Sequence, residues 1–219
     1  MKMKKLVIFD LDGTLLNTIG DLAAACDVVL KGNDLPTYTL EEYKVFVGSG
    51  MMRLVEQVIP ESHRNEQTIA KMRSEFIKAY YQNIDVHTEP YDGITQLLKE
   101  LQYNGIEVAV ASNKFQEGTR KLVEKFFPSI RFVAVLGQRP RVPLKPNPQI
   151  LRDVMQISSY AADKILYVGD SGIDIETGIA AGIDTIGVSW GFRSREELEN
   201  AGAEHIIDSP RDLWRFIEK

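Results

Sequence analysis

The run Leu6-Val7-Ile8-Phe9 is wholly apolar and ends in two aspartates one residue apart, followed by a Gly-Thr step: Asp10-Leu11-Asp12-Gly13-Thr14. A short apolar run bounded by polar residues reads as a strand buried on both faces, the habit of a parallel sheet. Gly13 lets the chain turn sharply there. Two carboxylates at the end of a buried strand are costly unless a cation or a proton compensates them. Such a pair suits a hard, oxygen-seeking cation such as Mg²⁺. It equally suits a carboxylate nucleophile with a second carboxyl beside it as acid and base. In isolation the pair reads as well as a turn or helix cap.

Further strand-like runs recur at Ile106–Ala111, Arg131–Leu136, Ile165–Gly169, Thr185–Val188 and His205–Ile207, with helical segments between most of them. That alternation predicts an α/β fold, a Rossmann-like parallel sheet core with helices on both faces. Asn104-Gly105 marks a helix end and Ser209-Pro210 a helix start. Residues 17–85 break the pattern, because they carry helical periodicity only. Asp21–Leu30, a segment opened by the capping-box sequence Thr39-Leu40-Glu41-Glu42, Met51–Ile59 and Ser62–Gln82 are its helices. We therefore expect an inserted α-helical cap domain at 17–85, and a core domain built from 1–16 and 86–219. Tyr80-Tyr81 and Phe126-Phe127 read as packing residues.

Three more segments carry chemistry-bearing side chains. Val108-Ala109-Val110-Ala111-Ser112-Asn113-Lys114 is a strand ending in a hydroxyl and an amide. Pro143-Leu144-Lys145-Pro146-Asn147-Pro148 sets a lysine among prolines that restrict the loop. Ile165-Leu166-Tyr167-Val168-Gly169-Asp170-Ser171-Gly172-Ile173-Asp174 is an apolar strand ending in two acids. Ligands of open parallel sheets bind beyond the carboxyl ends of the strands, so this topology brings the four segments to one place.

In this order the segments resemble the haloacid dehalogenase superfamily of phosphohydrolases. The resemblance covers most of the chain. Val47-Gly48-Ser49-Gly50, Ser112-Asn113-Lys114 and Gly187-Val188-Ser189-Trp190-Gly191-Phe192 are similar to the phosphoglycolate phosphatase branch. The resemblance implies that Asp10 attacks phosphorus and that Asp12 is the acid and base. It gives Mg²⁺ the carboxylates of Asp10 and Asp170 and the backbone carbonyl of Asp12. It gives the phosphoryl group Ser112 and the N–H of Asn113, and makes Lys145 the neutralising cation. Asp174 supports the metal site from behind, or orients Lys145, or simply charges a helix N-terminus. The branch implies 2-phosphoglycolate, whose carboxylate calls for another cation. Arg53 is the candidate, against a plain helix-pairing role. Asn17 stands where relatives often carry aspartate and is expected to cap the first cap helix. Gln138-Arg139-Pro140-Arg141 lacks the acids often found there in the branch.

Other readings of the same residues are a phosphomutase of the β-phosphoglucomutase type, a phosphatase for another small ester or for pyrophosphate, a dehalogenase, a phospho-accepting receiver domain and a binding protein. A dehalogenase has no use for the metal acids or for Asp12, and receiver domains lack a helical insert after the first strand. A net charge of −5 argues against nucleic acid or a membrane surface as a partner. The expected partner is a small phosphorylated metabolite, met by a monomer or homodimer. Cys26 is alone, and the apolar run after the basic start Met1-Lys2-Met3-Lys4-Lys5 breaks at Asp10, too soon for a signal peptide. These features predict a cytoplasmic protein.

Overall fold

The computed structural model describes residues 3–217, so Met1 and Lys2 of the basic start lie outside the described residues. In chain order the elements are β1 (Leu6–Phe9), β2 (Leu16–Asn17), α1 (Ile19–Lys31), α2 (Leu40–Phe46), α3 (Met51–Val58), α4 (Glu66–Gln82), β3 (Glu89–Pro90), α5 (Ile94–Tyr103) and β4 (Glu107–Phe115). They continue as α6 (Gln116–Phe126), β5 (Phe132–Gln138), α7 (Gln149–Ser158), β6 (Ile165–Gly169), α8 (Gly172–Ala181), β7 (Asp184–Val188), α9 (Arg195–Asn200), β8 (His205–Ile207) and α10 (Trp214–Ile217). Six strands form one parallel sheet in the order β5-β4-β1-β6-β7-β8.

Side chains alternate across each strand, and both faces find an apolar partner. Val7 and Phe9 join one buried cluster with Leu97, Leu98 and Leu101 of α5 and Leu122 of α6. Leu6 and Ile8 join the other with Ile150, Leu151 and Val154 of α7. This is why β1 carries no polar residue until Asp10. No helix among the described residues is long and apolar enough to cross a membrane.

Helices α1–α4 lie between β2 and β3, which pair antiparallel with Leu16 opposite Pro90 and Asn17 opposite Glu89. This two-strand ladder is absent from the sequence reading, because two-residue strands leave no periodicity. It also corrects the role expected of Asn17: the residue sits in β2, and Thr18 takes the N-cap position of α1 without a side-chain cap bond. Asp21 in the first turn of α1 accepts hydrogen bonds from the N–H groups of His87 and Thr88 and from the Thr88 hydroxyl, tying the outgoing limb to the returning one. The Thr39–Glu42 capping box forms as expected. Ser62–Gln82 is not one helix. A 3₁₀ turn at Glu61–His63 precedes α4, whose start is set by Asn65 accepting from the Thr68 N–H.

The helical insertion is packed onto the sheet. Leu54, Val55, Phe76 and Tyr80 belong to the same buried cluster as Phe9 and Leu11. A second attachment is polar. Arg193, beyond β7, donates to the carbonyls of Lys44 (2.7 Å), Val45 (3.1 Å) and Val47 (2.5 Å) at the end of α2. The last carbonyls of a helix lack intrahelical partners and carry partial negative charge, so a guanidinium suits them.

Candidate active site

The register of the sheet assembles the site. Phe9 pairs with Val110 of β4 on one side and Val168 of β6 on the other. Asp10, one residue on, and Ser112 and Asp170, two residues on, therefore emerge near one another at the carboxyl ends of three neighbouring strands. The chain fills β4 and β5 on one flank of β1 and β6, β7 and β8 on the other, which opens a crevice there. β4 continues past Ala111 to Phe115, but its pairing with β5 slips between those residues. Such irregularities re-aim side chains, and here they present Ser112, Asn113 and Lys114.

A buried ionic cluster occupies the crevice floor. Lys145 Nζ lies 2.9 Å from Asp10 Oδ1 and 2.7 Å from Asp174 Oδ1. It also donates to the Ala111 carbonyl and to the Tyr167 hydroxyl, and that hydroxyl donates to Asp174 Oδ1 over 2.6 Å. Burial pushes the Asp10 carboxyl up to about 6; Lys145 draws it down, and Asp174 adds to the rise. Burial works against the Lys145 ammonium, yet Asp10 and Asp174 hold it above the ordinary lysine range. Burial, with Asp174 and Asp10 nearby, drives Asp170 well above the ordinary carboxylate range. Asp170 accepts from the Thr14 hydroxyl and from the Phe192 N–H. Gly13, at φ 87°, is required: a Cβ there would stand 2.2 Å from Asp170 Oδ2.

Carboxylate oxygens of Asp10, Asp170 and Asp174 lie within 4.8 Å of one another. Three buried acids against one ammonium leave negative charge for a divalent cation to offset. Asp10 Oδ1 makes no hydrogen bond, its approach to Lys145 being ionic only. The donor set thus fits Mg²⁺, with Asp10 and Asp170 as the available carboxylates. Asp174 is already engaged: Lys145 and Tyr167 occupy Oδ1, and the N–H and hydroxyl of Ser171 occupy Oδ2. It is at once the third residue of the α8 capping box and the brace behind Lys145. The contact with Lys145 and the place at the helix start, offered as separate readings, occur together.

Asp12 takes a different cation. Both of its carboxylate oxygens accept from Lys114 Nζ, at 2.9 and 3.1 Å. Ser112 Oγ accepts from the Lys114 N–H at 3.3 Å. The Asn113 side chain is an anchor: its amide donates to the carbonyls of Gly48 and Lys145 and accepts from the Lys145 N–H. Asp10, Asp12, Ser112, Asn113 and Lys114 border a small cavity of about 40 Å³, closed from the helical side by Leu22, Val47, Met51, Leu54 and Tyr80. Arg53 is not among its lining residues. Its side chain is 56% exposed on α3 and pairs with Glu56 at 3.0 Å, the helix-pairing arrangement. Arg53 sits two positions after Met51, whose face of the helix looks inward, so it lies on a different side of α3.

A sequence model of the haloacid dehalogenase-like hydrolases matches residues 7–188, from β1 through β7. The chain belongs to this family. Among the hydrolase's relatives, a phosphoglycolate phosphatase of Aquifex aeolicus is 30% identical over 98% of this chain and 97% of its own. A phosphoglycolate phosphatase of Vibrio parahaemolyticus is 30% identical over 97% and 96%. A crystal structure from Lactobacillus delbrueckii subsp. bulgaricus, assigned as a phosphoglycolate phosphatase, superposes with a TM-score of 0.93 at 32% identity over 98% of each chain.

Sequence reasoning missed several of the hydrolase's site residues. Tyr167, fully buried in β6, holds Lys145 and Asp174 through its hydroxyl. Its signal was a lone hydroxyl in an otherwise apolar strand, since a buried tyrosine needs a partner. Thr14 and Phe192 orient Asp170, and Trp190 donates to the Thr14 carbonyl, which gives the Trp190-Gly191-Phe192 run a local purpose. Tyr80, read as packing, also accepts from Lys114 through its hydroxyl. No local pattern points to that contact, because the partners are 34 residues apart.

Proposed function

We propose that this hydrolase is a Mg²⁺-dependent phosphatase that cleaves a small phosphate monoester through an aspartyl-phosphate on Asp10, with 2-phosphoglycolate as its substrate. The observation carrying this reading is the division of labour between two neighbouring carboxylates. Asp10 lies against Lys145 at the metal-fitting cluster, while both oxygens of Asp12 pair with Lys114.

In the first half-reaction an Asp10 oxygen attacks phosphorus and the ester oxygen departs with a proton from Asp12. In the second, Asp12 takes a proton from water, whose oxygen attacks phosphorus, and Asp10 is released as a carboxylate with inorganic phosphate. Lys145 and the Ser112 hydroxyl face the charge on the transferring group. Mg²⁺, held by Asp10, Asp170 and the Asp12 carbonyl, would lower the repulsion between carboxylate and phosphate. The name shared by the Aquifex and Vibrio relatives supports the choice of phosphoglycolate.

The test is phosphate release from a panel of small esters with Mg²⁺ or chelator. The expected result is Mg²⁺-dependent release led by 2-phosphoglycolate, reduced at least roughly 10³-fold in Asp10→Asn. Near-normal turnover by folded Asp10→Asn overturns the mechanism, and another ester leading the panel overturns the substrate.

A further inference from the structure

Lys114 is a buried ammonium that the mechanism above leaves without a chemical task. Only 3% of its side chain is exposed, yet it borders the cavity. An ammonium has three N–H donors, and here they go to the two oxygens of Asp12 and to the Tyr80 hydroxyl of the cap. Two features single it out. It is the sole cation among the residues bordering the cavity. It is also fixed to the carboxyl that must reach the ester's leaving oxygen.

The second feature fixes where a substrate's other groups fall. Asp12 must meet the oxygen that leaves, so the carbon bearing that oxygen lies beside Asp12 and hence beside Lys114. The remaining lining from the cap, Leu22, Val47, Gly48, Gly50, Met51 and Leu54, offers an anionic group no charged side chain. Lys145 is committed to Asp10, Asp174, Tyr167 and the Ala111 carbonyl. Arg53, the cation expected from sequence, is turned to Glu56.

We infer that Lys114 is the specificity-determining residue of this site, receiving a carboxylate on the carbon that carries the phosphate ester, so that the preferred substrates are phosphate esters of α-hydroxy acids. This rests on the phosphatase reading and narrows it. On binding, the substrate carboxylate replaces one Asp12 oxygen on the ammonium. The freed Asp12 oxygen is then the one that meets the leaving oxygen. A charge-assisted pair in a site shielded from water is directional and strong, so a substrate lacking the carboxylate forfeits both the contact and the release of Asp12.

The experiment compares kcat/KM for 2-phosphoglycolate and for ethyl phosphate, which has the same carbon count and no carboxylate. Wild type is expected to favour 2-phosphoglycolate. Lys114→Met is expected to slow both, because Asp12 loses its partner, and to cut the ratio between them by about tenfold or more, or ~1.4 kcal/mol. 2-Phospholactate should follow 2-phosphoglycolate. Equal losses on the two esters overturn the proposal and leave Lys114 as a support for Asp12. A wild type that turns over both esters without preference also overturns it, while the phosphatase reading stands. No Mg²⁺-dependent release from any ester removes that reading and the proposal with it. If Lys114→Met does not fold, Tyr80→Phe decides. Removing one hydroxyl that steadies the ammonium should lower the same ratio, and an unchanged ratio overturns the assignment.

Discussion

Lys145 Nζ donates to Asp174 Oδ1 over 2.7 Å, with 2% and 0% of the two side chains exposed. Removing Asp174 leaves the buried Lys145 ammonium with Asp10 as its one remaining carboxylate and takes the acceptor from the Tyr167 and Ser171 hydroxyls. Asp174→Ala is therefore expected to cost roughly 3–5 kcal/mol, which lowers Tm by about 10 °C in a chain of this size. Asp174 does not border the cavity, so an unaltered melting curve would mean the pair has no structural weight.

Asp12→Ala should depend on the leaving group. An alkyl ester leaves poorly without a proton and should suffer most. An aryl phosphate, with a good leaving group, should suffer less in the first half-reaction. Its second half-reaction still needs a base, so phosphoenzyme should build up. Rapid-quench trapping with labelled substrate reads both effects. Uniform losses and no trapped intermediate would remove Asp12 from the acid and base role.

Binding of Mg²⁺ should be visible without turnover. A ligand present at a hundred times its Kd stabilises the folded state by ~2.7 kcal/mol, so Mg²⁺ should raise Tm by several degrees. Asp170→Asn removes a negative charge from the acidic trio and should abolish most of that rise. A full shift in the variant would place the metal elsewhere.

Arg193 predicts the mechanics of the cap. Its guanidinium holds three carbonyls from Lys44 to Val47, and Val47 and Gly48 border the cavity. Arg193→Ala should loosen this edge, speeding amide hydrogen exchange across residues 45–50 and lowering kcat/KM by roughly tenfold through impaired closure. Exchange at the wild-type rate would show that apolar packing alone seats the cap.

The sheet was legible because most of its strands contain a short apolar run and because helix ends carry local signals. Gly105 past α5 and the Thr39–Glu42 box behave as their sequences indicate. The acids at the strand ends were legible for a topological reason: parallel strands expose their carboxyl ends together. Partners chosen across long stretches of chain were not. Lys114 meets Asp12 over 102 residues and Arg193 meets Val47 over 146, and neither contact leaves a pattern in either segment. Arg53 illustrates the converse. Proximity in sequence to Gly48-Ser49-Gly50 drew attention to it, but the direction of a helical side chain depends on its position around the axis.

The narrow ladder of β2 and β3 has an evolutionary consequence. Because the insertion departs and comes back through facing residues, Leu16 opposite Pro90 and Asn17 opposite Glu89, the sheet experiences it as a short hairpin whatever its length. Closing so small a gap adds little entropy cost as the inserted stretch grows or shrinks. Descendants of such a scaffold can exchange one insertion for another while the carboxylates at the strand ends stay where the strands put them.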